Sequence, residues 1–279
     1  MGGNLHVDDS CIGCGECAAE CPMHLITMVD EVPTVTKEQE PFCIGCQHCL
    51  AVCPTGALHV AGKNPADSLP LAVDTVLPDL DTLIRTRRSV RRYLPEAVER
   101  TVIDRMLQTV GYAPTGVNNR QVLLSVVDDP QMMERLRRKI YAALKRIIDA
   151  GTFPQGMDYL KNWVLDALEN GRDNLFRDAP HLLLASSPKI GPCPEIDCHI
   201  ALSYFDVLAP ANGLGTLWSG LASWALAALT PEILREMGVP QDHVVGGVLV
   251  FGKPAVAYHR TVQRDDTRIN RVRLAEADT

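Results

Sequence analysis

Eight of the ten cysteines in this 279-residue chain fall into two copies of one pattern, C-x2-C-x2-C-x3-C-P. The first is Cys11, Cys14, Cys17 and Cys21 followed by Pro22, and the second is Cys43, Cys46, Cys49 and Cys53 followed by Pro54. No feature restricts the possible folds more, because eight thiolates brought together must either pair or share metal. Zinc sites pair C-x2-C units at longer separations and have no use for a third cysteine and a Cys-Pro step. Disulfides need an oxidising compartment, and the N-terminus does not read as a secretory signal.

The spacing is instead that of the ligands to two [4Fe–4S] clusters in bacterial ferredoxins. Three thiolates on a tight loop containing Gly13 and Gly15, or Gly45, can cover three corners of a cubane. The cysteine before each proline is carried away from its own loop and ligates the other cluster. One cluster is therefore assigned to Cys11, Cys14, Cys17 and Cys53, and the other to Cys43, Cys46, Cys49 and Cys21. A module of about 60 residues has too little core to fold alone, so the clusters would act as its staples.

Charge sets the same region apart. Residues 1–62 hold eight acids and one base, whereas the remaining 217 residues hold 26 of each, so the net charge of −7 resides on the cysteine module. Such a surface steers towards basic partners and away from nucleic acid; it also simply keeps a small module soluble. The stretch from Cys198 to Leu229 is broken by Asp206, Pro210, Gly213 and Gly215, so no membrane span is expected there. A cytoplasmic protein is expected, since low-potential clusters and free thiols need a reducing interior.

Three segments follow from texture: a two-cluster module at 1–62, a proline-punctuated linker at 63–78 and a larger domain at 79–279. In the larger domain the patterns predict helices over 79–87, 96–110, 131–150, 157–171, 196–212 and 231–237. They predict extended runs over 121–128, 179–185, 217–218 and 244–251. Helices and strands mix without regular alternation, which favours an α+β class over a doubly wound sheet.

Five short motifs in this domain resemble, in order, those of the FMN-dependent nitroreductases. They are Arg87-Arg88-Ser89-Val90-Arg91, Ala113-Pro114-Thr115-Gly116-Val117-Asn118, Asp178-Ala179-Pro180, the run from Asn212 to Gly220, and Phe251-Gly252-Lys253-Pro254 with Arg260 and Arg264. The resemblance covers about residues 79–279 and implies a nitroreductase-like mixed sheet flanked by helices, with FMN held at a homodimer interface partly built by the helix at 196–212. It implies that Arg87, Ser89 and Arg91 hold the phosphate and ribityl chain, with Arg88 nearby. It further implies that Asn118 bonds the isoalloxazine edge, that the backbone of Leu217, Trp218, Ser219 and Gly220 runs beside the ring, and that Arg260 or Arg264 completes the phosphate grip. Many members read N-x-Q-P after the asparagine; here Gln121 is displaced by one position and the proline is missing, and the resemblance still implies that Gln121 reaches the flavin.

Other residues carry less. Cys193 and Cys198 read as a redox pair or, more simply, as two unpaired thiols, and His199 as a proton donor or a surface histidine. Trp163, Trp218 and Trp224 read as packing residues. The combined expectation is an oxidoreductase that passes electrons from a low-potential donor, a ferredoxin or NAD(P)H, through two [4Fe–4S] clusters to FMN. The final acceptor would be a planar, electron-poor small molecule: a nitroaromatic, a quinone or an activated alkene. The alternatives are a specialised reductase (dehalogenation, enoyl reduction or flavin fragmentation) and a non-catalytic electron-transfer subunit.

Overall fold

A computed structural model describes residues 5–68, 77–256 and 267–273. Arg260 and Arg264 lie outside the described residues.

The cysteine module is two half-repeats. Strand β1 (Leu5–Val7) leads to a first cysteine loop, helix α1 (Glu16–Ala19) and the hairpin β2 (Thr27–Val29) with β3 (Val32–Thr34). A second loop, helix α2 (His48–Val52) and strand β4 (Leu58–Val60) follow. β4 returns to pair antiparallel with β1, from Leu5 opposite Val60 to Val7 opposite Leu58, so the module closes on itself. Its core is small, built from Ile26, Leu50, Leu58 and Val60 together with the thiols of Cys17 and Cys49. Of the linker, residues 65–67 form one 3-10 turn, capped by the Asn64 side chain accepting from the Ala66 amide at 2.9 Å.

The larger domain comprises α3 (Leu77–Thr86), α4 (Arg100–Val110), β5 (Leu123–Val127), α5 (Pro130–Asp149), α6 (Asp158–Asn170), β6 (His181–Pro188), α7 (Pro194–Ala211), β7 (Gly215–Trp218), α8 (Gly220–Trp224), α9 (Pro231–Glu236) and β8 (His243–Gly252). The strands pair antiparallel in the order β5-β6-β8-β7. A parallel bridge, Ser89 to Thr216, adds the segment after α3 to the outer edge of β7.

Leu182–Ala185 of β6 and Val248–Phe251 of β8 are buried on both faces, which is why these stretches read as apolar runs. Successive side chains alternate between faces. Leu182, Leu184, Val248 and Val250 pack on one side with Ile140 and Leu144 of α5. Leu183, Ala185, Leu249 and Phe251 pack on the other with Ile103 and Met106 of α4 and Leu202 and Phe205 of α7.

Several element boundaries differ from the sequence expectation for physical reasons. α3 begins at Leu77 rather than at residue 79, and Asp81 lies inside the helix, paired with Arg85, four residues on, at 2.6 Å. α4 begins at Arg100 rather than at residue 96, because Glu99 is extended (ψ 130°) and the Val98 amide is drawn off to His181 Nε2 at 2.9 Å. Asp129 and Pro130 start α5: the Asp129 carboxylate accepts from the Gln131 amide at 2.7 Å and proline suits the first turn. Beyond β7 the chain forms α8 and then a π turn at Ala225–Leu229, neither of which the pattern predicted.

Candidate metal centres and active site

The eight cysteines surround two apolar cavities. One is lined by Cys21, Cys43, Cys46 and Cys49 together with Leu25, Ile26, Val35 and Ile44. The other is lined by Cys11, Cys14, Cys17 and Cys53 with Ile12, Met28, Pro33 and Leu58. Each cavity thus takes three cysteines from one loop and the pre-proline cysteine of the other. Among the described residues no three His, Cys, Asp or Glu side chains converge tightly enough for a single metal ion. Rings of thiols around a cavity fit a cubane, in which each iron needs one sulfur from the protein.

Backbone geometry opens these rings. Gly13 has φ of 67°, and a Cβ there would lie 2.9 Å from Glu31 Cβ, so the first loop requires glycine on both counts. The thiols differ in environment. Burial pushes the Cys49 thiol up to about 11. Burial also acts on Cys53, but the Thr55 hydroxyl and the amides of Thr55, Gly56 and Ala57 more than offset it and hold that thiol below its ordinary value.

In the larger domain, the segment 87–91 lies against β7. The Val90 amide donates to the Thr216 carbonyl at 2.8 Å. A Cβ on Gly215 would lie 2.3 Å from Val90 Cγ2, so only glycine permits this approach. Arg87 is ion-paired with Asp206 of α7 at 3.4 Å. Arg91 Nη1 donates to the Ser89 carbonyl at 3.3 Å. Arg88 turns the other way: its guanidinium caps the end of α3, donating to the carbonyls of Arg85 (2.8 Å) and Arg87. Arg87, Ser89 and Arg91 stand two residues apart along this segment, and guanidinium and hydroxyl donors are the kind that suit a phosphate.

β7 is the last strand of the sheet, and past the single bridge at Thr216 no described strand pairs with Leu217 and Trp218 on its outer side. Ser219 closes the strand: its hydroxyl donates to the Leu175 carbonyl at 2.7 Å and accepts from the Ala222 amide at 3.1 Å, starting α8 at Gly220. Trp218 stacks on the exposed His199 with ring centroids 6.0 Å apart.

The loop after α4 is conformationally costly. Val117, Asn118 and Arg120 have φ of 47°, 55° and 50°, which non-glycine residues seldom adopt and a β-branched valine least of all. Three bonds that involve side chains hold it: the Gly116 amide to Asp197 Oδ1 at 2.9 Å, the Arg120 amide to Thr115 Oγ1 at 2.9 Å, and the Asn118 side-chain amide to the Ile44 carbonyl at 2.6 Å. The last reaches into the second cysteine loop. Gln121 is exposed at the loop's end.

Sequence reasoning missed Asp197 and Asp206. They lie on the two margins of the buried stripe of α7, nine residues or about 14 Å apart along its axis. One supports the Asn118 loop and the other the arginine segment. The available signal was an acid at core-facing spacing in an otherwise apolar helix. Cys198 is buried at 0% exposure against Gly246, and burial pushes its thiol up to about 11; it and Cys193 are both free thiols. Such a Cys198 is a packing residue.

Comparison with known proteins matches two families. Residues 84–253 match the nitroreductase family and residues 10–57 a 4Fe-4S dicluster domain. The iodotyrosine deiodinase of Danio rerio is 29% identical over 187 residues, covering 62% of this chain and 59% of that protein, so the match spans less than two thirds of that relative. The iodotyrosine deiodinase of Thermotoga neapolitana is 26% identical over 136 residues, covering 48% of this chain and 70% of that protein. The FMN-bound nitroreductase of Bacteroides fragilis shares the fold at a TM-score of 0.56 and 21% identity, covering 69% of this chain and 99% of its own. With its family match spanning more than half of its length, and a dicluster domain ahead of that match, the chain belongs to the nitroreductase family.

Proposed function

We propose that this two-cluster, FMN-dependent oxidoreductase takes single electrons at its cysteine module and delivers them, in pairs, to an electron-poor small molecule in the larger domain. The observation that carries this reading is the 2.6 Å hydrogen bond from Asn118 to Ile44, which joins the flavin-side loop to a cysteine loop. When bound, the clusters supply one-electron transfer and the flavin supplies the exchange between one- and two-electron chemistry.

The residues have separable tasks. Cys11, Cys14, Cys17 and Cys53 hold one cluster, and Cys21, Cys43, Cys46 and Cys49 hold the other. Arg87, Ser89 and Arg91 grip the FMN phosphate, with Arg260 or Arg264 contributing from the C-terminal segment. Asn118 and the outer edge of Leu217–Gly220 orient the ring. Asp206 keeps Arg87 and Trp218 in place, and Asp197 keeps the Asn118 loop in its strained form. A homodimer would use the outer side of α7, where Ile196 and Tyr204 are exposed.

An anaerobic titration tests the reading. Cluster and flavin absorbance are followed separately, with reduced ferredoxin in one cell and NAD(P)H in the other. Bleaching of the flavin by ferredoxin through the clusters is expected. Fast bleaching by NAD(P)H in protein whose clusters have been removed would sink the idea.

The two deiodinase relatives favour a second reading, in which the substrate is a halogenated aromatic and two electrons and a proton replace halogen by hydrogen, releasing halide. Iodide release from 3-iodotyrosine under ferredoxin reduction, measured beside nitroaromatic reduction, separates the two.

A further inference from the structure

The two cysteine cavities are not equivalent with respect to the larger domain. Ile44 lines the Cys21–Cys43–Cys46–Cys49 cavity and accepts the hydrogen bond from Asn118. The next residue, Gly45, faces the same amide: a Cβ there would lie 3.9 Å from Asn118 Nδ2. From the Cys43 thiol to the Asn118 side chain the path is therefore covalent except for one hydrogen bond. Electron transfer falls steeply with distance and is favoured along bonded paths over gaps.

The other cavity presents itself differently. Like the first it is lined only by residues of the cysteine module, but among the described residues no hydrogen bond joins its lining to the larger domain, and Cys14 and Ile12 in that lining are open to solvent, Ile12 at 65% exposure. Asp9 and Glu16 flank these two residues in the sequence and are both exposed.

Resting on the function proposed above, we infer that the clusters act in a fixed order. The Cys11–Cys14–Cys17–Cys53 site is the entry, and the Cys21–Cys43–Cys46–Cys49 site is the exit, coupled to the flavin through the Ile44–Asn118 contact. Each one-electron donor protein loses one electron at the entry, and that electron leaves at the exit. Two such passages, with protons from solvent, complete one two-electron reduction in the larger domain, and no bond forms or breaks in the module.

The test uses anaerobic holoprotein and the variants Cys14→Ser, Cys46→Ser and Asn118→Leu. The two serine variants assign the electron paramagnetic resonance signals, since each perturbs the signal of its own cluster. Asn118→Leu removes the donor to Ile44 and is expected to shift the signal assigned by Cys46→Ser while leaving that assigned by Cys14→Ser in place. This readout does not depend on flavin binding, so it holds if the variant also loses FMN. In flavin-loaded protein mixed with reduced ferredoxin, Asn118→Leu is expected to slow flavin bleaching at least about tenfold while the clusters are reduced at the wild-type rate. A shift on the Cys14-assigned signal, or on neither signal, overturns the order. If reduced ferredoxin fails to bleach the wild-type flavin although it reduces the clusters, the wiring itself fails, a result distinct from wild-type bleaching with no effect of Asn118→Leu.

Discussion

The indole Nε1 of Trp218 donates a 3.0 Å hydrogen bond to Asp206 Oδ2, and the same carboxylate accepts from the Thr216 hydroxyl and pairs with Arg87. One carboxylate, 9% exposed, thus binds the strand proposed to run beside the flavin ring to the segment proposed to grip its phosphate. Asp206→Ala leaves two donors and a partly buried guanidinium without their acceptor, which costs about 1–3 kcal/mol for each stranded group. The expected result is a lower urea midpoint with weaker FMN retention and altered Trp218 fluorescence. Asp206→Asn retains one acceptor oxygen and should recover part of the stability but not the hold on Arg87.

Gly215 makes a complementary prediction, because the approach of β7 to Val90 leaves no room for a methyl group. Overpacking of this kind costs about 1–3 kcal/mol. Gly215→Ala should destabilise the larger domain and loosen FMN. Trimming the opposing side chain in Gly215→Ala/Val90→Ala should return much of the loss. A double-mutant cycle by chemical denaturation measures the coupling, and strict additivity would contradict direct contact.

What could be read in the sequence, and what could not, divides by the range of the cause. Leu182–Ala185 of β6 and Val248–Phe251 of β8 were legible because strand positions buried on both faces are mostly apolar, and the cysteine motifs because ligand spacing encodes loop geometry locally. The start of α4 was not, since it is set by His181, 83 residues away from Val98. The Asn118–Ile44 bond spans 74 residues and joins two motifs that each look complete alone. Arg88 shows the opposite problem: in a string of arginines nothing marks which one folds back onto its own helix end.

The Asp178-Ala179-Pro180 turn into β6 rests on a buried charge network. Asp173, whose side chain is 4% exposed, pairs with Arg137 at 2.8 Å, accepts from the Tyr141 hydroxyl at 2.7 Å, and takes the amides of Phe176 (2.9 Å) and Asp178 (3.0 Å). Arg137 in turn donates to the Ala179 carbonyl at 2.9 Å. Removing one partner of a buried pair costs about 3–5 kcal/mol, because the other charge remains. Asp173→Ala should therefore destabilise the domain more than any exposed pair, such as Lys145–Asp149, whose loss falls within about 1 kcal/mol. Denaturation of Asp173→Ala and Lys145→Ala side by side checks the contrast.

His181 predicts a loss of stability in mild acid. It is fully buried and stacked on Phe251 with centroids 5.1 Å apart. Its Nε2 accepts from the Val98 amide at 2.9 Å, so in the neutral ring the proton sits on Nδ1, which faces the Val127 carbonyl at 3.3 Å. Protonation would place a second N–H against the Val98 N–H and a charge in the core. Burial accordingly holds this imidazole below its ordinary value of 6.5. In the unfolded chain the ring binds a proton first as the pH falls, so stability is fully present above about 6.5 and declines below it until the folded pKa is reached. Urea midpoints from about pH 7.5 to about pH 5 should fall for the wild type. In His181→Phe the starting midpoint should be lower, because the Val98 amide loses its acceptor, and the slope across that window should be shallower. A slope unchanged by the substitution would place the acid sensitivity elsewhere.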